Sequence, residues 1–146
     1  MGMLDSQLIF SEGQAVTNTG DTASTNVYEA DNAQLGDAGQ TGENLWVQAI
    51  CTTTATSGGG ATVQAVLQDS ADSVTYADVV AGPAVPVASV VAGKVLLDVQ
   101  PPPGMRQYWR IAWRVATAAL TAGKFDAFIS NTLQRNVPRP SGFSVA

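Results

Sequence analysis

The stretch Gln107-Tyr-Trp-Arg-Ile-Ala-Trp-Arg-Val115 reads in steps of two. Gln107, Trp109, Ile111, Trp113 and Val115 fall on one side, and Tyr108, Arg110, Ala112 and Arg114 on the other. Successive side chains of a strand point to opposite faces, so this pattern marks a half-buried β-strand with an aromatic and aliphatic inner face. The same period runs outward through the chain. Leu45, Val47, Ala49 and Cys51 alternate with Trp46, Gln48 and Ile50, and Val63, Ala65 and Leu67 share a face within Ala61–Gln68. Val95, Leu97 and Val99 repeat the pattern, as do Phe125, Ala127 and Ile129. Polar residues on one face and apolar ones on the other point to antiparallel sheets with one wet side.

Turn chemistry punctuates these segments. Ser57-Gly-Gly-Gly60, Ala81-Gly-Pro83, Pro101-Pro-Pro-Gly104 and Thr121-Ala-Gly-Lys124 all read as turns. Short strands separated by Gly and Pro turns predict an all-β, single-domain antiparallel β-sandwich or jelly roll. Only Val115–Leu120, rich in Ala, has a helical look, and it is too short to stand alone. Thr17–Gly42 is polar and predicts long N-terminal loops with one short strand near Asn26–Glu29. After the last strand pattern, Pro138 and Pro140 exclude a helix or a central strand. The domain is therefore expected over residues 1–133, followed by an extended C-terminal arm over 134–146 that is either disordered or orders against a neighbour, with Phe143 and Val145 as the apolar anchors in the second case.

Composition narrows the chemistry. At 146 residues the chain is one domain's worth, and 45% apolar content argues against disorder. Charged residues are only 13%, so Thr, Ser, Gln, Asn and Ala must cover much of the surface. The absence of His removes the commonest general base and metal ligand. A single cysteine, Cys51, leaves no disulfide framework, zinc cluster or redox pair, which fits a reducing cytoplasm. No apolar run is long enough for a membrane helix, and Met1–Phe10 lacks the basic head of a signal peptide. Met1–Ser6 matches the short myristoylation pattern, but without neighbouring basic residues it does not call for a membrane.

The net charge of −5 conceals a polarised chain. Every Lys and Arg lies after residue 93, whereas ten of the twelve acids precede it. Such a chain either presents an acidic and a basic surface or interleaves strands of both halves so that the field averages out.

Catalytic constellations are hard to build. Without His there is no Ser–His–acid arrangement, and Lys94 and Lys124 both fall in expected turns. Asp69, Asp72 and Asp78 could supply oxygen ligands to Ca²⁺, but their spacing is not that of a dedicated loop. A solvated hairpin turn with local Asp and Ser bonds is the favoured reading. The residues expected to act are Arg106, Tyr108, Arg110 and Arg114, placed by the alternation on the face opposite Trp109 and Trp113. Three arginines at that spacing span about 26 Å at ~3.3 Å per residue. The stripe suits a protein contact, or a solvated face bridged to acids on a neighbouring strand. The net negative charge opposes nucleic-acid binding.

Leu4–Thr17, Ala61–Asp72, Pro102–Val115 and Thr121–Phe128 together resemble, in order, the jelly-roll capsid cement (head decoration) proteins of tailed bacteriophages. These blocks cover most of residues 4–130. The resemblance implies a small sandwich without an active site or cofactor, located on the capsid surface of the virion after synthesis in the host cytoplasm. It further implies that the major capsid protein and copies of the chain itself, as a dimer or trimer, are the partners, with no role for nucleic acid or membrane. The expected contacts are Arg106, Tyr108, Arg110 and Arg114, with Arg135, Arg139 and Phe143 of the arm. The rival expectation is a carbohydrate-binding sandwich in which Trp46, Tyr76 or Tyr108 stacks on a sugar.

Overall fold

In the computed structural model, which describes residues 8–29 and 45–130, the chain is built almost wholly from strands. The first half carries β1 (Ile9–Ala15), β2 (Gly20–Ala23), β3 (Tyr28–Glu29), β4 (Trp46–Ser57) and β5 (Thr62–Ser70). Then follow β6 (Ala77–Ala81), β7 (Val85–Pro86), β8 (Val95–Val99), β9 (Tyr108–Ala116) and β10 (Leu120–Ser130). One sheet has the order β1-β10-β4-β8, and the other β2-β9-β5-β6, with β3 also on β9 and β7 also on β5. All pairings are antiparallel.

With β2 and β3 taken as one interrupted strand, and β6 and β7 as another, the pairing is first with last, second with second-last, and so inward. That is a long hairpin rolled into a sandwich, a jelly roll. The rolling has an electrostatic consequence. Each strand after residue 93 lies between or beside strands that precede it: β8 on β4, β9 between β2 and β5, β10 between β1 and β4. Acidic and basic halves therefore interleave.

The core is where the alternation places it. Val63, Ala65, Leu67, Trp109, Ile111, Trp113 and Val115 of one sheet face Phe10, Val47, Ala49, Cys51, Phe125, Ala127 and Ile129 of the other, and all are buried. Trp113 meets Phe125 across the layers at 4.9 Å between ring centroids. At roughly 25 cal/mol per Å² of apolar area, this shared layer is the main stabilising contribution.

Short connections close one end of the sandwich, where β4 runs into β5 and β9 into β10. The opposite end carries the β5–β6 hairpin turn and the Gln100–Gln107 connection. By register it also holds Leu8, Glu29, Leu45 and Ser130.

Several local expectations change. Thr121–Lys124 is not a turn but part of β10, where register shifts against β4 absorb extra residues. Gly123 takes φ +145° there, and a Cβ on it would sit 3.1 Å from the Ala55 Cβ, so the bulge needs glycine. The Ala-rich segment contains the end of β9 and a tight turn with Thr117 at φ 77°, not a helix. β2 appears within the polar N-terminal region in addition to the strand expected near Asn26–Glu29, which is β3. The expected loop residues 30–42 and the expected arm at 134–146, with Arg135, Arg139 and Phe143, lie outside the described residues.

Candidate interaction surface

The outer face of the β2-β9-β5-β6 sheet collects the polar side chains of the odd-and-even pattern. Arg114 on β9 stands opposite Asp21 on β2 and Gln64 on β5, while Arg110 stands opposite Gln68. Gln68 in turn faces Asp78 on β6. Register thus puts Asp21 directly beside Arg114, whereas Asp78 lies in line with Gln68 and Arg110 and is reached from Arg114 diagonally across the sheet.

The bonds to Asp21 and Gln68 follow the register, and the one from Arg114 to Asp78 crosses it. Arg114 donates Nε to Asp21 Oδ1 at 2.7 Å and Nη2 to Asp21 Oδ2 at 2.8 Å, a two-pronged pair. Its Nη2 also reaches Asp78 Oδ2 at 3.1 Å. Gln68 donates Nε2 to Asp78 Oδ1 at 2.7 Å and accepts from Arg110 Nε at 2.9 Å. The Arg110 guanidinium lies 3.8 Å above the Tyr76 ring, a cation–π contact. The bonds from Arg114 hold the Asp21 carboxyl below its ordinary range, and the two carboxylates hold the Arg114 guanidinium above its own.

Arg106 departs from the expected stripe. It precedes β9, and its side chain folds onto Asp69 at the end of β5. Asp69 is 91% removed from solvent as a side chain at the pair, its relative exposure being 9%. Burial pushes the Asp69 carboxyl up, but the bonds from Arg106 outweigh it and leave the group below its ordinary range. Trp109 Nε1 donates to the Arg106 carbonyl at 2.6 Å, which ties the same turn to the core. Tyr108 is half-buried at the start of β9, opposite Ser70 and Glu29. The four described contact candidates therefore split. Arg106 clamps a turn, Arg114 is neutralised within the sheet, Tyr108 is partly covered, and Arg110 has no acidic hydrogen-bond partner among the described residues.

The three aspartates of the β5–β6 region also separate. Asp69 serves Arg106, and Asp78 serves Gln68 and Arg114. Asp72 organises the hairpin turn: its Oδ1 accepts from the amides of Val74 and Thr75, both at 2.9 Å, and from Ser70 Oγ at 2.8 Å. These donors, Thr75 first, lower its pKa to about 2. Among the described residues no three His, Cys, Asp or Glu side chains converge in a way that would hold a metal ion. The aromatic residues of the carbohydrate reading, Trp46, Tyr76 and Tyr108, are each half-buried, and Tyr76 has its ring covered by Arg110.

A family model described as Bbp16 matches residues 10–129, which is 120 of the 146 residues. The chain belongs to the Bbp16 family. The Bbp16 match begins inside β1 and ends inside β10, so it spans the whole described sandwich and stops short of the expected arm. Arg106, Tyr108, Arg110 and Arg114 fall within the Bbp16 region; Arg135, Arg139 and Phe143 fall beyond it. No curated protein matches the chain. Asp21 and Gln68, which complete the network, escaped the sequence reading because nothing local marks them. The one available signal was the segregation of acids and arginines between halves, which an antiparallel roll brings together.

Proposed function

We propose that this protein is a capsid cement protein that binds the outer surface of an assembled bacteriophage head and clamps neighbouring major capsid subunits. The observation that carries the reading is the strand order. A jelly roll pairing first strand with last is the fold implied by the resemblance of Leu4–Thr17, Ala61–Asp72, Pro102–Val115 and Thr121–Phe128 to cement proteins. The protein works by contact, without catalysis or cofactor, as a homo-oligomer on the virion. Binding across subunit junctions favours the assembled shell over its separated parts, because only the assembled state offers the complete site. Repetition over a symmetric lattice supplies avidity from individually weak contacts.

The test mixes the purified chain with heads assembled without it, pellets the heads, and images them by electron cryo-microscopy. Saturable co-sedimentation, density at a fixed lattice position and a raised temperature of head disruption are expected. Chain left in the supernatant at all concentrations overturns the proposal.

A further inference from the structure

The β5–β6 turn places an apolar side chain in water on a rigid support. Val74 is 81% exposed, the most exposed of the large apolar side chains described. Its backbone is not free to move away. Asp72 holds the amides of Val74 and Thr75, Ser73 sits at φ 61°, and Ser73 Oγ lies 3.3 Å from Tyr76 Oη. Beneath the turn, the Arg106–Asp69 pair fastens the neighbouring connection to the end of β5. Two residues beyond Val74, the Tyr76 ring carries the Arg110 guanidinium. Arg110 spends Nε on Gln68, and its terminal amino groups make no hydrogen bond among the described residues.

From this we infer that residues 71–76, with Arg110 beside them, form a docking knob for a protein surface that offers an apolar pocket bordered by a carboxylate. The inference rests on the proposed binding to heads and names the part of this chain that touches them. A locked turn loses little conformational entropy on docking, so burial of Val74 counts almost in full. A β-branched side chain has few rotamers to lose. Arg110 is pre-positioned by Tyr76 and Gln68, and its free face suits a two-pronged bond to a carboxylate at the rim. The knob lies at the same end of the sandwich as Trp46 and Ser130.

The test compares wild type, Val74→Asp, Val74→Ser, Arg110→Gln and Val91→Asp for co-sedimentation with heads lacking the chain. Val91 is 47% exposed at the opposite end of the sandwich and serves as the control. Far-UV circular dichroism and melting verify that each variant folds; Val74→Ser keeps the test alive if the charge at 74 disturbs the turn. Val74→Asp is expected to weaken binding about tenfold or more, as for a central anchor. Arg110→Gln is expected to weaken it severalfold and to flatten its salt dependence, and Val91→Asp to leave it unchanged. If wild type does not pellet with heads, both the binding proposal and the knob fall. If wild type pellets and folded Val74 variants bind equally well, or Val91→Asp loses as much, the knob alone falls.

Discussion

Asp69 and Arg106, 37 residues apart in the chain, are joined by four hydrogen bonds. The Arg106 amide donates to Asp69 Oδ2 at 2.8 Å, Nε donates to Oδ1 at 3.0 Å, and Nη2 donates to Oδ1 at 2.6 Å and to the Asp69 carbonyl at 3.0 Å. The pair seals the end of β5 against the approach to β9. It gives Arg106 a structural role at this turn.

Replacement of Asp69 by Ala removes three of these bonds and leaves only the carbonyl one. Hydrogen bonds between charged groups contribute about 1.5–3 kcal/mol each in favourable settings, but Arg106 can turn to water, so a total loss of about 2–3 kcal/mol is expected. Urea unfolding of Asp69→Ala, read as a lowered midpoint at unchanged slope, checks it. Charge reversal at Arg106 is likewise expected to destabilise the fold, because it would set a second carboxylate against Asp69.

Arg114 gives the contrast. Its bridges to Asp21 and Asp78 join side chains that are 33%, 38% and 44% exposed. Exposed pairs are screened and ordinarily contribute about 0–1 kcal/mol. Arg114→Ala should therefore lower the melting temperature little, and less still at high salt. A loss as large as that of Asp69→Ala would show that the network acts as one unit.

Acid should loosen the hairpin turn in a defined window. The Asp72 carboxyl titrates at about 2 in the folded state against an ordinary 3.8. A depressed pKa contributes stability that is present in full above the unfolded value and is lost as the pH falls through the folded one. Asp21 and Asp69 are shifted in the same direction. Melting temperature is thus expected to hold steady above about pH 4.5 and to fall toward pH 2. Asp72→Asn, which retains an acceptor oxygen but cannot ionise, should flatten part of that fall.

Gly82 carries a packing requirement. A Cβ there would lie 2.5 Å from the Leu96 carbonyl oxygen, a backbone atom of β8. The Gly82 amide also bonds the Ala65 carbonyl at 2.9 Å, and Gln64 Nε2 bonds the Gly82 carbonyl at 2.6 Å, so the loop has little room to retreat. Gly82→Ala is expected to cost about 1–3 kcal/mol by overpacking. Gly58→Ala, where nothing approaches within 4 Å, is the control expected to melt almost as wild type.

Removal of the Trp113 indole should have the largest effect. It is fully buried against Phe125, and its Nε1 points to Ser11 Oγ at 3.4 Å across the layers. Trp113→Ala is expected to lose about 3–5 kcal/mol. Chemical denaturation of the purified variant measures it.

What the sequence determined by itself is local: which residues face inward. Trp109, Ile111 and Trp113 are buried because a strand's pleat alternates its faces and water expels the apolar one, and neither fact depends on a distant partner. The tertiary structure decided what stands opposite each residue. Arg114 meets Asp21 from 93 residues away and Asp78 from 36, and only the rolling of one half of the chain against the other selects those neighbours. The same holds for Thr121–Lys124, whose Gly-Lys chemistry reads as a turn until pairing with β4 makes it a bulge. Even β2 owes its existence to β9 alongside it, since Gly20–Ala23 has no apolar period of its own. Side-chain periodicity is a property of the backbone, whereas partner and register are properties of the packed sheet, and the arginines acquire their roles only there.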